Sequence, residues 1–175
     1  MEEILNHIKS RRSIREFLAE TVEDSIIEDI LEAGRWAPSG LNNQPWRFVV
    51  VRDKKISGSL AGCTRYSSIV YSAPLLIAVF LDRDVMYDHI KDIQACGAAI
   101  QNILLAAHGM GLGAVWLGEI LNRKDEVREI LNAPGSLELM AVVAIGYPVA
   151  GSSRSGVRRE ISEITYKEKF GNPWK

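Results

Sequence analysis

Cysteine is nearly missing from this chain: Cys63 and Cys96 are the only two in 175 residues. They stand far apart, without Cys-x-x-Cys or Cys/His metal spacing, which argues against a disulfide framework and fits a reducing compartment. Histidine is as scarce. His7, His89 and His108 form no His-x-x-x-His pair with a matching carboxylate, so no metal site is expected. Gly-x-Ser-x-Gly is absent, and nothing marks Ser152 or Ser153 as an activated nucleophile, which leaves no basis for a hydrolase. No Gly-x-Gly-x-x-Gly turn follows an early strand, so a dinucleotide-binding Rossmann unit is disfavoured. Charge of one sign is lacking too. With a net charge of -1, the chain has no global basic field to attract nucleic acid or an anionic membrane, and any anion site must be local.

A long unbroken hydrophobic run is also missing. The stretch 93–117 comes nearest, but Gln94, Gln101, Asn102, His108 and four glycines interrupt it, so it reads as protein interior. The start, Met1-Glu2-Glu3, is acidic and carries no signal pattern, which places the expected protein in the cytoplasm. What remains is 47% hydrophobic content in a length suited to one buried core, and a single domain over 1–175 is expected.

Periodicity predicts the elements. Ile4, Leu5 and Ile8 give a first helix ending in the cationic turn Ser10-Arg11-Arg12-Ser13-Ile14-Arg15. A second helix is expected from Thr21, with Thr21-x-x-Asp24 as a capping box, and it delivers Trp36 to a polar loop. Apolar strands come next at 47–51 and 75–81, the second continuous enough for burial on both faces, with a helical or irregular segment 56–71 between them. The 90–108 helix is apolar nearly all round, except for a thin line of Gln94, Gln101 and His108. A strand or extended loop at 113–118, a helix opened by Asn122-x-x-Asp125 and a strand at 137–145 complete the pattern. Irregular alternation of helices and strands predicts a mixed sheet flanked by helices.

Two local features carry chemistry. Arg11, Arg12 and Arg15 with Ser13 put three guanidinium forks and a hydroxyl within five residues, a density suited to a phosphate monoester or to a solvated helix end. Arg158-Arg159 could complete the same site. The second feature is the loop Ala37-Pro38-Ser39-Gly40-Leu41-Asn42-Asn43-Gln44-Pro45-Trp46-Arg47-Phe48. Its small residues bring backbone close to a ligand, and its amides offer donors and acceptors to a flat polar ring.

These two motifs, together with Gly111-Leu112-Gly113-x-x-Trp116-x-Gly118, Ile145-Gly146-Tyr147-Pro148 and Arg158-Arg159, resemble the FMN-dependent nitroreductase family in order and spacing over nearly the whole chain. The resemblance implies an α+β fold with a mixed, mainly antiparallel sheet, and a homodimer with FMN at the subunit interface. It implies that Arg11, Arg12 and Ser13 meet the phosphate and ribityl chain, with Arg15 near the pyrimidine edge of the flavin. Pro38, Ser39, Gly40 and Asn42 would come from the partner subunit against the ring, supported by Gln44. Trp116, Leu117 and Gly118, with Glu119 beyond, fall on the flavin's reactive side, and Arg158 closes on the phosphate. Gly156 stands where the family carries a lysine, which leaves Arg154 or Arg159 to supply that charge. A C-terminal arm from about residue 161 is expected to pack on the partner.

The activity so implied takes hydride from NAD(P)H and passes it to a small electron-poor acceptor, a nitroaromatic or quinone, by a ping-pong mechanism. No catalytic side chain is required, because the flavin does the chemistry. A cation such as Arg15 stabilises the negative charge that reduction places on the ring. Alternatives within the resemblance are dehalogenase, enone reductase or flavin-fragmenting activity, and a reading from a different class is an FMN-binding protein that stores or delivers reduced flavin.

Overall fold

A computed structural model describes residues 2–152 and 156–175. Its centre is a four-stranded sheet in the order β1-β2-β4-β3, with β1 at Trp46–Val51, β2 at Leu75–Asp82, β3 at Gly113–Leu117 and β4 at Leu137–Gly146. Every strand pair is antiparallel, and the one parallel feature among the described residues is an isolated bridge between Ser13 and Ala114.

The continuous apolar character of β2 has a direct cause. Side chains alternate across a strand. Leu76, Ala78 and Phe80 point into a core shared with α3 (Lys54–Ala61), α4 (Ser67–Ser72) and α6 (Lys124–Ile130). Leu75, Ile77 and Val79 point into a second core, against α2 (Asp24–Arg35) and α5 (His89–Gly109). Both faces are covered, so no residue of β2 is left for solvent. A bulge interrupts the β2–β4 register, with Met140 the extra residue between partners Leu139 and Ala141.

Local details correct two of the expectations. α2 starts at Asp24 with Glu23 at its N-cap, and Thr21 lies outside it, so the capping box does not form. Asn122 sits within a short 3-10 segment, Glu119–Arg123, and α6 begins after it. The long helix α5 keeps part of its apolar surface uncovered within one chain. Beyond the exposed Gln94 and Gln101, its residues Ile90 and Ile93 are exposed, and Gly97, Ala98, Asn102, Leu105 and Ala106 are half-buried.

The segment after α1 (Glu2–Ser10) decides where the cationic turn sits. It runs beside β3, where the Ile14 N–H bonds to the Ala114 carbonyl at 3.1 Å. A Cβ on Gly113 would sit 2.6 Å from that of Ile14, so only glycine lets the two backbones approach this closely. Further on, Phe17 bridges Pro148 and the Leu18 N–H bonds to the Tyr147 carbonyl. The cationic turn is thereby carried to the end of β4. Among the described residues no helix is long and apolar enough to cross a membrane.

Candidate active site

At the C-terminal end of α5 lies a cleft of about 350 Å³, lined by Arg11, Arg12, His108, Pro148 and Ser152 among others. Arg11 is half-buried, and its pKa is lowered, first by burial and then by the positive charges of Arg158 and Arg12. Arg11 is thus repelled by two neighbouring guanidinium groups, of which Arg12 shares the lining of the cleft. Arg12 is drawn back to the end of α1, where its Nη1 donates to the carbonyls of Lys9 and Arg11. The Ser152 hydroxyl is buried and has no hydrogen-bond partner among the described residues. A buried hydroxyl costs about 1–3 kcal/mol when left unpaired. Crowded cations, an unpartnered buried hydroxyl and, among the described residues, a lining without carboxylates are a donor set that fits a phosphate monoester.

Other predicted residues extend away from this point. Ser13 holds its bridge to β3, and Arg15 is exposed, with Nη1 donating to the Ser13 carbonyl at 3.2 Å. At the end of β3, Trp116 is exposed and Leu117 is buried, while Gly118 is exposed before the 3-10 turn. Glu119 is not a free acid. The Thr64 hydroxyl at 2.6 Å, the Arg65 N–H and the Arg65 guanidinium hold its pKa down at about 2. It ties the turn before α4 to the end of β3. Arg158 is exposed, and its charge reaches Arg11. Arg159 is exposed, and Arg154 lies outside the described residues.

The polar loop is built in a different way. Pro38 is exposed, Ser39 accepts from the Gln44 N–H at 3.0 Å, and the Asn42 N–H returns to the Ser39 carbonyl at 3.1 Å. Leu41, Asn42 and Gln44 all take left-handed backbone angles, with φ of 54°, 55° and 48°. For residues other than glycine this conformation is costly and collects at functional sites. A carboxylate that the sequence analysis did not single out keeps the loop in place. Asp92, fully buried in the first turn of α5, accepts from Asn43 Nδ2 at 3.0 Å, the Tyr87 N–H at 2.8 Å and the Asp88 N–H at 3.1 Å. Burial pushes the Asp92 pKa up, but these bonds outweigh it and the net shift is downward. Tyr87 covers Gly40 so closely that a Cβ there would lie 2.5 Å from the ring. The loop turns its backbone and Asn42 outward, both exposed.

The fold does not bring the two donor sets together within one chain. Asp92 anchors the loop at one end of α5, and His108 borders the cation cleft at the other. Sixteen residues of α-helix separate them, about 24 Å along the axis at 1.5 Å per residue. The sequence offers little signal for Asp92 or Tyr87, since a lone acid in a helix's first turn usually serves only the helix dipole.

This geometry agrees with what the chain resembles in known proteins. The Nitroreductase family model matches residues 8–67 and 59–147. A relative from Archaeoglobus fulgidus, named "Putative NADH dehydrogenase/NAD(P)H nitroreductase", is 39% identical over 151 residues, covering 85% of this chain and 87% of the relative. The NADPH-flavin oxidoreductase of Vibrio harveyi is 29% identical over 160 residues, covering 85% and 67%. Among solved structures, a "putative nitroreductase in complex with FMN" from Desulfovibrio desulfuricans superposes with a TM-score of 0.89 at 50% identity, covering 95% of this chain and 97% of that one. Motif order, sheet topology and these similarities converge: the chain belongs to the nitroreductase family.

Proposed function

We propose that this protein is an FMN-dependent oxidoreductase that uses NAD(P)H to reduce a small electron-poor acceptor, nitroaromatic or quinone, by a ping-pong mechanism. The observation that carries the reading is the cation cleft, which gathers the guanidinium groups of Arg11 and Arg12 with the buried Ser152 hydroxyl and has no carboxylate in its lining among the described residues. The relatives named for NAD(P)H and flavin, and the FMN complex of the 50% identical structure, support the choice of cofactor.

Arg11, Arg12, Ser13 and Arg158 would hold the phosphate and ribityl chain, with Arg159 or Arg154 in place of the family's lysine. Arg15 would lie near the pyrimidine edge. FMN held there would supply the redox chemistry, two-electron exchange with the nicotinamide and with the acceptor. The chain's own task is to bind, orient and tune. A guanidinium held at Arg15 favours whichever state of its neighbour carries more negative charge. Trp116, Leu117 and Gly118 bring an exposed ring and open backbone to the reactive side. Glu119, already spent on three donors, serves as a brace and moves no proton.

The site is composite. The amide loop of one copy, through Pro38, Ser39, Gly40, Asn42 and Gln44, would face the cation cleft of another, which resolves the separation along α5. Exposed Ile161, Phe170 and Trp174 in the C-terminal arm and the half-covered face of α5 are apolar surface that a second copy would bury. One domain and a cytoplasmic location complete the reading, and both cysteines are free and buried.

The test is the absorbance spectrum after FMN is added and the excess washed away, followed by anaerobic titration with NADH and NADPH. Retained flavin that bleaches is expected. Retained flavin that neither nucleotide bleaches would leave a flavin-storing protein, and no retained flavin would overturn the assignment. Light scattering should report a dimer.

A further inference from the structure

His108 borders the cation cleft, and nothing in the flavin reading assigns it a part. One tautomer satisfies all of its neighbours. The Ser10 hydroxyl can serve both the His7 carbonyl, 3.1 Å away, and His108 Nε2, 2.8 Å away, only by donating to the first and accepting from the second. That arrangement puts the His108 proton on Nε2 and leaves Nδ1 as the atom to gain one. His7 is fixed in the same way, with Nε2 donating to the Leu105 carbonyl at 3.0 Å, and the two rings stack at 4.9 Å.

The groups around His108 are all neutral or positive. α1 and the turn after it present His7, Ser10, Arg11 and Arg12, and the strand end contributes Pro148 and Ser152, with Arg158 beyond Arg11. No carboxylate lines the cleft among the described residues. Burial, and then the charges of His7, Arg11 and Arg12, lower the His108 pKa. In the free protein a second proton thus has no anion to pair with.

We infer that His108 is a protonatable member of the phosphate site, taking a proton from solvent onto Nδ1 when a phosphate dianion enters the cleft. The inference rests on the flavin reading only for the identity of the phosphate's owner. Binding and proton uptake are linked: an anion that raises the pKa of His108 must bind more tightly as pH falls toward that pKa. The phosphate's own second ionisation, near pH 6, works in the opposite direction and has to be cancelled out.

The experiment has two readings. Proton NMR of the His108 ring, identified by its loss in His108→Gln, gives its titration in free protein and with FMN, riboflavin or inorganic phosphate. FMN and inorganic phosphate should raise the midpoint by about one pH unit, and riboflavin should leave it in place. Gln retains an N–H near the Nε2 position but cannot be protonated. The ratio of the His108→Gln Kd for FMN to the wild-type Kd should rise about threefold between pH 8 and pH 6, as a one-unit shift from a lowered free value requires, and the ratio removes the phosphate's own ionisation. A His108 midpoint unmoved by both FMN and inorganic phosphate would overturn the inference, as would a flat ratio. If inorganic phosphate moves His108 while FMN does not bind, the inference stands and the flavin reading fails. Should the variant not fold, the wild-type titration with FMN and phosphate decides alone.

Discussion

The two ends of α5 hold opposite kinds of stored cost. At its N-terminal end the amide loop carries strain in the backbone, with three left-handed residues, and the fold offsets that strain from within through the buried Asp92 carboxylate. At its C-terminal end the backbone is relaxed, and the cost is electrostatic: Arg11 is half-buried beside two other cations, with no lining carboxylate to answer them. The first region is held by its own hydrogen bonds, with one buried atom, Asn43 Oδ1, left unpartnered among the described residues, whereas the second gathers cations that suit an anion. Pre-organisation at one end and an unmet charge at the other suit a site that grips a ring by shape and its phosphate by charge.

The sharpest way to break this comparison is at the cations. Arg11→Ala with Arg15→Ala removes two charge-assisted contacts, each about 1.5–3 kcal/mol, and should weaken FMN binding by on the order of a hundredfold or more. The free protein should melt at the same temperature or slightly higher, because a mutually repelling group is gone. A fluorescence titration and a melting curve check both parts. Unchanged affinity would remove the phosphate assignment, and a large drop in melting temperature would show that the cations serve the fold.

The opposite response is expected at the loop. Asp92→Asn keeps the shape but turns an acceptor into a donor facing two N–H groups and an amide, which should cost about 1–3 kcal/mol of stability by urea unfolding. The folded pKa of Asp92 is depressed, so its contribution is present above the ordinary carboxylate range and disappears as pH falls through the lower folded value. The gap between wild type and variant should therefore be full at pH 7 and narrow below about pH 4. A gap that persists unchanged into acid would show that the carboxylate's charge is not what holds the loop.

These two regions were also unequally legible from sequence. The cation turn was readable because charge density within five residues is itself the signal, and the fold needed only to bring Arg158 near. The loop's composition was readable, but its rigidity was not: Asp92 and Tyr87 lie more than forty residues downstream, and no local pattern links them to Asn43 and Gly40. The same limit explains the fold. Continuous apolar runs revealed β2 and the sheet's two covered faces, because burial on both sides leaves no polar alternation. Thr21 failed as a cap because a capping pattern states a preference that neighbouring packing decides; the helix begins three residues later, at Asp24. Composition showed that α5 is apolar nearly all round, but which of its residues stay uncovered by their own chain depends on packing that composition does not report.

A smaller effect separates contact from strain within the loop. Gly40→Ala places a Cβ against the Tyr87 ring, which must shift, and overpacking of this kind costs about 1–3 kcal/mol. Because Tyr87 is partly exposed, the low end is expected; the displaced loop should also weaken flavin binding, and adding Tyr87→Ala should recover most of that affinity. Failure of the second substitution to recover it would mean that Gly40 is needed for direct approach of the ligand, with Tyr87 a bystander.

The smallest expected effect concerns Leu41, and it bears on whether the strain is real. Its φ of 54° belongs to the left-handed region, its side chain is 84% exposed, and the loop's hydrogen bonds are made by its neighbours. Leu41→Gly would relieve about 1 kcal/mol of left-handed strain, but glycine also loosens the unfolded chain, an opposing effect of similar size. The net change in stability of the free chain should lie within about 0.5 kcal/mol of zero. If a second copy covers the loop, the leucine side chain becomes buried there, and the dimer should dissociate more readily even though the fold is unchanged. Sedimentation at decreasing concentration separates these quantities. A variant with unaltered stability and a weakened dimer would place Leu41 at the junction between copies, and one with an unaltered dimer would leave it as strain carried only to aim Asn42 outward.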